Sequence, residues 1–379
     1  MQISKDFAQS IVTEMKKIIN QDLNYINVDG TIIASTDKNR IGTFHEAGKL
    51  AAMNEKNIVI EYDEQYRGSR KGINLPVYYN NEVIGVIGIT GEREEVEKYG
   101  KIIKRMTEIL IIEFSMKELE NKEIEQQRLM LENILFNNEM EVRTVFDYRN
   151  IEELLEKEGG LIIVSKIVYD DEYSLEEEKR IFHIFKNSID DKRSLIMIYQ
   201  SMIILLLFGK NDTLIDSIIK KIKEIINLKY GYKVKFGIGQ IKYNAADIKN
   251  SYMEALDALK WIEKDDEKEI LYFNNMDIEI IIDMIDKVTA KKYVTKVLQN
   301  LSPKEIIKYE EIIKYYEKYN GSIQKISEKL FIHKNTLQYK LDKLYKKTGF
   351  DMRRYHDFVI LKIAFLIIEH NDMDSIINY

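Results

Sequence analysis

The chain has 379 residues, 45% hydrophobic and 32% charged, with a net charge of −6 and no cysteine. That length exceeds one ordinary core and that composition belongs to a folded chain, so two or three packed domains are expected and wholesale disorder is excluded. Without cysteine there is no disulfide, no thiol catalysis and no cysteine-held zinc, and a net negative charge gives no reason for a nucleic-acid coat over the whole surface.

The opening segment, "MQISKDFAQSIVTEMKKI", reads as an amphipathic helix charged along its length and without the apolar core of a signal peptide, which points to a cytoplasmic protein. Short β-type runs follow: "LNYINVDGTIIAST", "NIVIEYD", "INLPVYY" and "EVIGVIGIT". Asp29-Gly30 and Asn80-Asn81 each separate two apolar runs, which predicts hairpins in an antiparallel sheet. Pro76 falls inside a strand pattern and cannot donate a ladder hydrogen bond, so it predicts an edge or a bulge. Residues 98–136 form one long helical pattern in which a charged stretch, "KELENKEIEQQR", divides two apolar ones. It predicts a helix that joins two domains and can pair with a second subunit.

Strand "LIIVSKIV", a helix near residues 175–186, the hairpin "LIMIYQSMIILLLF", a helix to about residue 227, strand "YKVKFGIG", a helix near residues 247–261 and strand "EILYF" predict a βαββαβ sandwich. The hairpin is the longest apolar segment, yet it falls short of a membrane span and is broken by Gln200 and Ser201, so no transmembrane helix and no membrane partner are expected. Two apolar helices, near residues 276–286 and 290–299, lead to the C-terminal region.

There, "GSIQKISEKLFIHKNTLQYKLDKLYKKTG" holds the sharpest local pattern. A first helix starts after Ser322, a favourable N-cap, and ends near Leu330. A second carries Leu337, Leu341 and Leu344 on one face, with His333, Lys334, Asn335, Thr336, Gln338, Tyr339, Lys340 and Lys343 at its start and between them. This is the division of labour of a helix-turn-helix, one face packed and the other free to enter a major groove. Asn and Gln read adenine through paired hydrogen bonds, while Lys and Thr meet bases or phosphates. Residues 320–355 hold nine Lys/Arg against three Asp/Glu, which leaves −12 for the rest of the chain. A double-stranded DNA operator fits such a local cationic segment.

A second cluster lies in "RKGINLPVYYNNEVIGVIGITG". Arg70, Gly72 and Asn74 offer a guanidinium fork, backbone N–H groups and an amide to a small anion. Gly85, Gly88 and Gly91 recur every three residues and leave room beside the sheet. Upstream, "STDKNRIGTFHEAG" supplies Ser35, Asp37, Arg40, Gly42 and His45 as an opposite wall, where Arg matches carboxylate geometry. Enzyme motifs are lacking: the five histidines form no HExxH, no GxSxG or GxxxxGK[ST] occurs, and "GIG" at residues 237–239 reads as a strand end. No catalytic residue, metal or cofactor is expected.

On these residues the chain resembles the carbohydrate diacid regulator family of bacterial transcription factors. "DKNRIGTFHEAG", "GINLP" and "EVIGVIGITGE…KYG" are similar to its sugar-diacid recognition domain, "LFIHKNTLQYKLDKLYKKTGFD" to the helix-turn-helix shared with purine-catabolism regulators, and "SYMEALDALK" to the recurring helix of its degenerate diguanylate-cyclase-like domain. The resemblance implies an α/β multidomain (α+β) fold. It divides into a PAS- or cache-like sensor (residues 1–100), a helical linker (101–140), the cyclase-like βαββαβ domain (141–300) and an all-helical DNA-binding domain (301–379). It further implies a cytoplasmic, homodimeric or higher-order regulator, an activator, which binds a small hydroxy-acid or sugar diacid such as glycerate, glucarate or galactarate and controls its catabolism. A regulator of the same architecture sensing a different metabolite, or a nucleotide-processing middle domain, is the alternative. Matching ligand positions are Ser35, Asp37, Arg40, Ile41, Gly42, His45, Arg70, Gly72, Ile73, Asn74, Pro76, Gly85, Gly88, Thr90 and Gly91. Among them Arg40 or Arg70 is expected on the carboxylate, His45 and Asn74 on oxygens, and Gly72 and Ile73 as N–H donors. Where an active cyclase has a Gly-Gly-Asp/Glu-Glu-Phe turn, this chain reads Tyr199-Gln200-Ser201-Met202, so no cyclase activity is expected.

Overall fold

The computed structural model describes residues 3–136, 146–169, 174–263 and 267–370. Two compact units emerge, Met1–Glu123 and Ile124–Tyr379. The expected linker's end at residues 137–140, the expected start of the next domain at 141–145 and the last nine residues, 371–379, lie outside the described residues.

In the first unit, helix α1 (Lys5–Ile19) precedes strands β1 (Asp22–Ile26) and β2 (Ile32–Ser35). A 3-10 turn (Lys38–Arg40), α2 (Glu46–Asn54), β3 (Ile58–Ile60), β4 (Gly72–Tyr79), β5 (Glu82–Thr90) and the long helix α3 (Arg93–Phe136) follow. The strands pair antiparallel throughout, in the order β2-β1-β5-β4-β3. Both predicted hairpins are present, and Asn80 and Asn81 take φ of 49° and 66° at the β4–β5 turn. Past Asn74 β4 outlasts β3, so Pro76 lies on a local edge, and the register shifts between Val77 and Tyr78 just beyond it.

Side chains alternate across a strand, and here the alternation separates two chemistries. One face sends Leu23, Tyr25, Ile73, Leu75, Val77, Ile87 and Ile89 against Ala8, Ile11, Val12 and Met15 of α1 and Val96, Ile103 and Ile111 of α3. The other packs Ile26, Ile32 and Val86 under Ala51 and Ala52 of α2, and its remaining positions are polar. Gly85 and Gly88, expected to leave room beside the sheet, face opposite sides because three residues is an odd spacing. A Cβ on Gly85 would stand 2.4 Å from the Tyr25 hydroxyl, so that room is already filled by a ring. The helix predicted from residue 98 begins at Arg93.

In the second unit, α4 (Phe146–Glu158), β6 (Gly160–Val168), α5 (Leu175–Ser188), β7 (Leu195–Tyr199), β8 (Met202–Phe208), α6 (Asp212–Tyr230), β9 (Lys233–Ile238), α7 (Ala245–Ile262) and β10 (Ile270–Tyr272) build a second sheet, ordered β10-β9-β6-β8-β7. Helices cover both faces: Ile163, Leu205 and Phe236 pack with Phe185 of α5 and Ile219 of α6, while Val164, Ile204 and Leu206 pack with Leu135, Leu155 and Tyr252. Burial on both faces is why these strands read as unbroken apolar runs. Helices α8 (Ile278–Asp283), α9 (Lys287–Leu298), α10 (Pro303–Lys318), α11 (Ile323–Lys329), α12 (Lys334–Thr348) and α13 (Tyr355–His370) complete the chain around one all-helical core.

The "GIG" stretch does more than end a strand. A Cβ on Gly237 would stand 2.0 Å from the Ala255 carbonyl oxygen, and one on Gly239 2.0 Å from that of Ser251, so the two glycines let the backbone of α7 lie directly on β9. Gly237→Ala is expected to destabilise the second unit by about 1–3 kcal/mol, the usual cost of overpacking against rigid backbone, read as a lower urea midpoint.

Candidate anion pocket and nucleic-acid interface

The polar half of the first sheet forms the floor of a small pocket. Register sets Asn24 of β1 and Asn74 of β4 on either side of Gly88 of β5. A Cβ there would stand 2.8 Å from Asn74 Oδ1 and 3.7 Å from Asn24 Nδ2, so the missing side chain makes the space that the two amides share. The walls are Arg40, His45, Ile60, Arg70 and Thr90, and Ile73 and Ile89, whose side chains turn to the apolar face, border the space through their backbone. The enclosed volume is about 10 Å³, room for about one water.

Each polar wall residue is held by local structure. Arg40 ends the 3-10 turn, buried, and its Nη2 donates to the Gly68 carbonyl at 2.6 Å. His45 is the N-cap of α2: its Nδ1 accepts the Gly48 N–H at 3.1 Å, which makes the ring the neutral tautomer with Nε2–H as donor. Burial, then the Arg40 charge, push the His45 pKa down to about 4. Burial and then Arg70 also lower that of Arg40, the mark of two guanidinium groups sharing a site. Arg70 is half-exposed and its Nη2 pairs with Asp37 at 3.0 Å. Asn74 is 1% exposed, and neither its Oδ1 nor its Nδ2 has a hydrogen-bond partner among the described residues. Donors dominate and no carboxylate lines the space, so the chemistry suits a small anion carrying hydroxyl groups.

Of the ligand residues expected from the sequence, Arg40, His45, Arg70, Ile73, Asn74 and Thr90 line this pocket and Ser35, Asp37, Gly42, Gly72 and Gly91 do not. Ser35 is buried and orients Asn24, donating to its Oδ1 at 2.7 Å, while its own Oγ accepts the Asp37 N–H. Gly42 and Gly91 close backbone turns onto the Ile32 and Lys71 carbonyls, at φ of 84° and 153°. Gly72 and Ile73, expected to offer N–H groups, sit where β4 is paired on both sides, with β3 and β5, so the ladder takes those groups instead. Sequence reasoning missed Asn24 and Gly68. Asn24 was legible as a polar residue at an inward position of "LNYI"; Gly68 belongs to a loop whose packing no local pattern announces.

In the C-terminal domain Leu337, Leu341 and Leu344 are buried as predicted. Lys334, Asn335, Thr336 and Tyr339 are exposed on the opposite side, and Lys340 is half-buried. Three of the expected positions carry local detail. Ser322 occupies the N-cap position of α11 without a side-chain cap bond. His333 caps α12, its Nδ1 accepting the Asn335 N–H at 3.2 Å. Lys343 pairs with Glu305 of α10 at 3.1 Å, beside Lys347 at 2.6 Å, and these contacts, Lys347 first, hold that carboxyl down at about 2. Lys343 therefore braces α12 against α10 while its side chain stays half-exposed. Among the described residues no cluster of three or more His, Asp or Glu is placed to hold a metal ion, and no helix is long and apolar enough to cross a membrane.

The neutral burial of His45 sets a pH dependence. Its folded pKa lies below the unfolded value of about 6.5, so stability is full above about pH 6.5 and falls as the pH drops toward 4. The expected contribution across that window is about 3 kcal/mol, measured as urea midpoints against pH. His45→Asn keeps an N-cap acceptor but cannot titrate, and is expected to flatten that part of the profile.

Residues 3–134 match the family described as "Putative sugar diacid recognition", residues 161–261 a GGDEF-like domain and residues 310–367 the PucR C-terminal helix-turn-helix domain. The carbohydrate diacid regulator of Escherichia coli (strain K12) is 24% identical over 393 residues, 96% of this chain and 97% of its own. An uncharacterized protein, YsfB, of Bacillus subtilis (strain 168) is 24% identical over 380 residues, 96% of this chain and 98% of its own. A solved regulator of polyketide synthase expression from Bifidobacterium adolescentis aligns over 65% of this chain and 98% of its own, with 15% identity and a TM-score of 0.29. With a sugar-diacid recognition domain at one end, a PucR-type helix-turn-helix at the other and a GGDEF-like domain between, the chain has the make-up of the carbohydrate diacid regulator family of transcription factors.

Proposed function

We propose that this chain is a ligand-switched transcriptional activator that binds a small hydroxy-carboxylic acid, such as glycerate, glucarate or galactarate, in the pocket beneath α2 and controls genes for its breakdown. Asn74 carries the reading. A buried amide with both ends unpartnered costs about 1–3 kcal/mol per unsatisfied group, and an acid bearing a hydroxyl beside its carboxylate would satisfy both ends. Arg40 supplies a desolvated charge for the carboxylate and the His45 Nε2–H a neutral donor. A pocket with room for about one water must widen for any such acid, and the half-exposed Arg70–Asp37 pair is the wall that can swing.

Transmission to DNA would run through β4 and α3. The strand that carries Asn74 also carries the bulge at Tyr78, whose N–H donates to the buried Glu108 of α3 at 3.2 Å. A tenfold preference of ligand for one of two positions of that helix is worth about 1.4 kcal/mol. The domain division at residues 100, 140 and 300 belongs to the same proposal.

The active form would be a homodimer on an operator. Ile102, Ile109 and Met116, with Ile112 and Leu119, lie exposed on the side of α3 away from its buried Val96, Ile103 and Ile111, at the seven-residue spacing of a pairing seam.

Isothermal titration of the full chain with the three acids tests the pocket. Saturable binding of one of them is expected, and Arg40→Ala should weaken it at least about 30-fold, as for a buried charge losing its partner. Asn74→Leu should abolish binding while raising ligand-free stability by about 1–3 kcal/mol; undiminished affinity in both variants would refute the assignment. Sedimentation should show a dimer that Ile109→Asp converts to monomer, and a wild-type chain that stays monomeric even on DNA would refute the pairing.

A further inference from the structure

One side chain of α12 is oriented from outside the helix. Arg353, in the turn between α12 and α13, grips Asp351 as a fork, Nε to Oδ1 at 2.8 Å and Nη2 to Oδ2 at 3.1 Å. Its Nη2 also reaches Asp342 at 2.8 Å. The remaining Nη1 donates to Gln338 Oε1 at 3.1 Å. Gln338 and Asp342 are one turn apart and share a face of the helix. A guanidinium held by two carboxylates is a rigid donor, and only the carbonyl end of an amide can face it, which turns the amino end away.

We propose that Arg353 is a positioning residue for base recognition: it presents the Gln338 Nε2 amino group to the groove, so that Gln338 reads the acceptor O6 of guanine or O4 of thymine, where adenine presents its N6 amino donor instead. The paired reading of adenine needs Oε1 and Nε2 together, and Oε1 is engaged by Arg353. The same guanidinium covers the Asp342 carboxylate, which would otherwise repel the acceptor-rich edge of those bases and the nearby phosphates. This rests on α12 being the helix that enters the major groove.

Selection of binding sites from randomised duplexes, with the full-length chain and its Gln338→Ala, Arg353→Met and Arg353→Lys variants, tests the idea. The wild-type chain is expected to prefer guanine or thymine over adenine about tenfold or more at one position. All three variants should lose that preference and keep the others, with salt dependence on a non-specific duplex and urea midpoint unchanged in at least Arg353→Lys, which retains the charge but not the fork. Adenine as the base that Gln338→Ala ceases to select, or a preference untouched in both Arg353 variants, would overturn the proposal. A wild-type chain that binds no duplex in a salt-dependent way would overturn the role of α12 on DNA and this proposal with it, a result distinct from either.

Discussion

The amide of Asn74 is the constraint around which the N-terminal unit is arranged. The pleat of β4 turns it away from the apolar face, the pairing of β4 with β5 sets it opposite a residue without a side chain, and α2 with its preceding turn seals it from water. Among the described residues nothing answers it. Arg40, whose pKa is lowered by burial and then by the Arg70 charge, stands with Arg70, a neutral imidazole and a second amide around the same space, so hydrogen-bond donors and positive charge gather there. A sheet built only for stability would place aliphatic side chains here, as the opposite face of the same strands does.

The other end of the chain obeys a different division. In α12 the leucines face the helical core and leave the polar side chains outside, but the outer face is itself subdivided. Lys343 and Lys347 are drawn to Glu305 and fix α12 against α10, Gln338 is drawn to Arg353, and Lys334, Asn335, Thr336 and Tyr339 at the start of the helix stay exposed. Positive charge along a helix is thus shared between bracing the domain and meeting a polyanion, and only ion-pair geometry separates the two uses. Between these ends the GGDEF-like sheet is covered on both faces, and its central hairpin turns through Gln200 and Ser201 in left-handed conformations, φ 49° and 59°. That turn offers amide and hydroxyl where a cyclase of this fold has acids.

The periodicities were enough to read most elements. Alternating runs bounded by Asp-Gly and Asn-Asn became the β1–β2 and β4–β5 hairpins, continuous apolar runs became strands covered twice, and leucines at helical spacing became the buried face of α12. Helix α2 left little trace, because its nine residues, "EAGKLAAMN", are small and carry a glycine that lets Ile26 approach. Arg40, Arg70, His45 and Asn74 were legible because their chemistry is conspicuous among aliphatic strands. Ser35, Asp37, Gly42, Gly72 and Gly91 were legible too, but as parts of the same motif, and a motif does not distinguish a residue that lines a space from one that holds its neighbour in place.

What the sequence by itself determined is the set of local choices: hairpin turns, strand faces, helix caps, and the segregation of positive charge into the last domain. These depend on backbone preference and on side-chain period, which act over a few residues. The tertiary structure alone decided that Asn24 joins the pocket, that Arg40 is anchored by Gly68, that Gly85 and Gly88 serve opposite faces, and which of the cations near α12 are already paired. Those facts follow from register between strands and from packing between segments far apart in the chain, and long-range distance, unlike periodicity, leaves no signature in the order of residues.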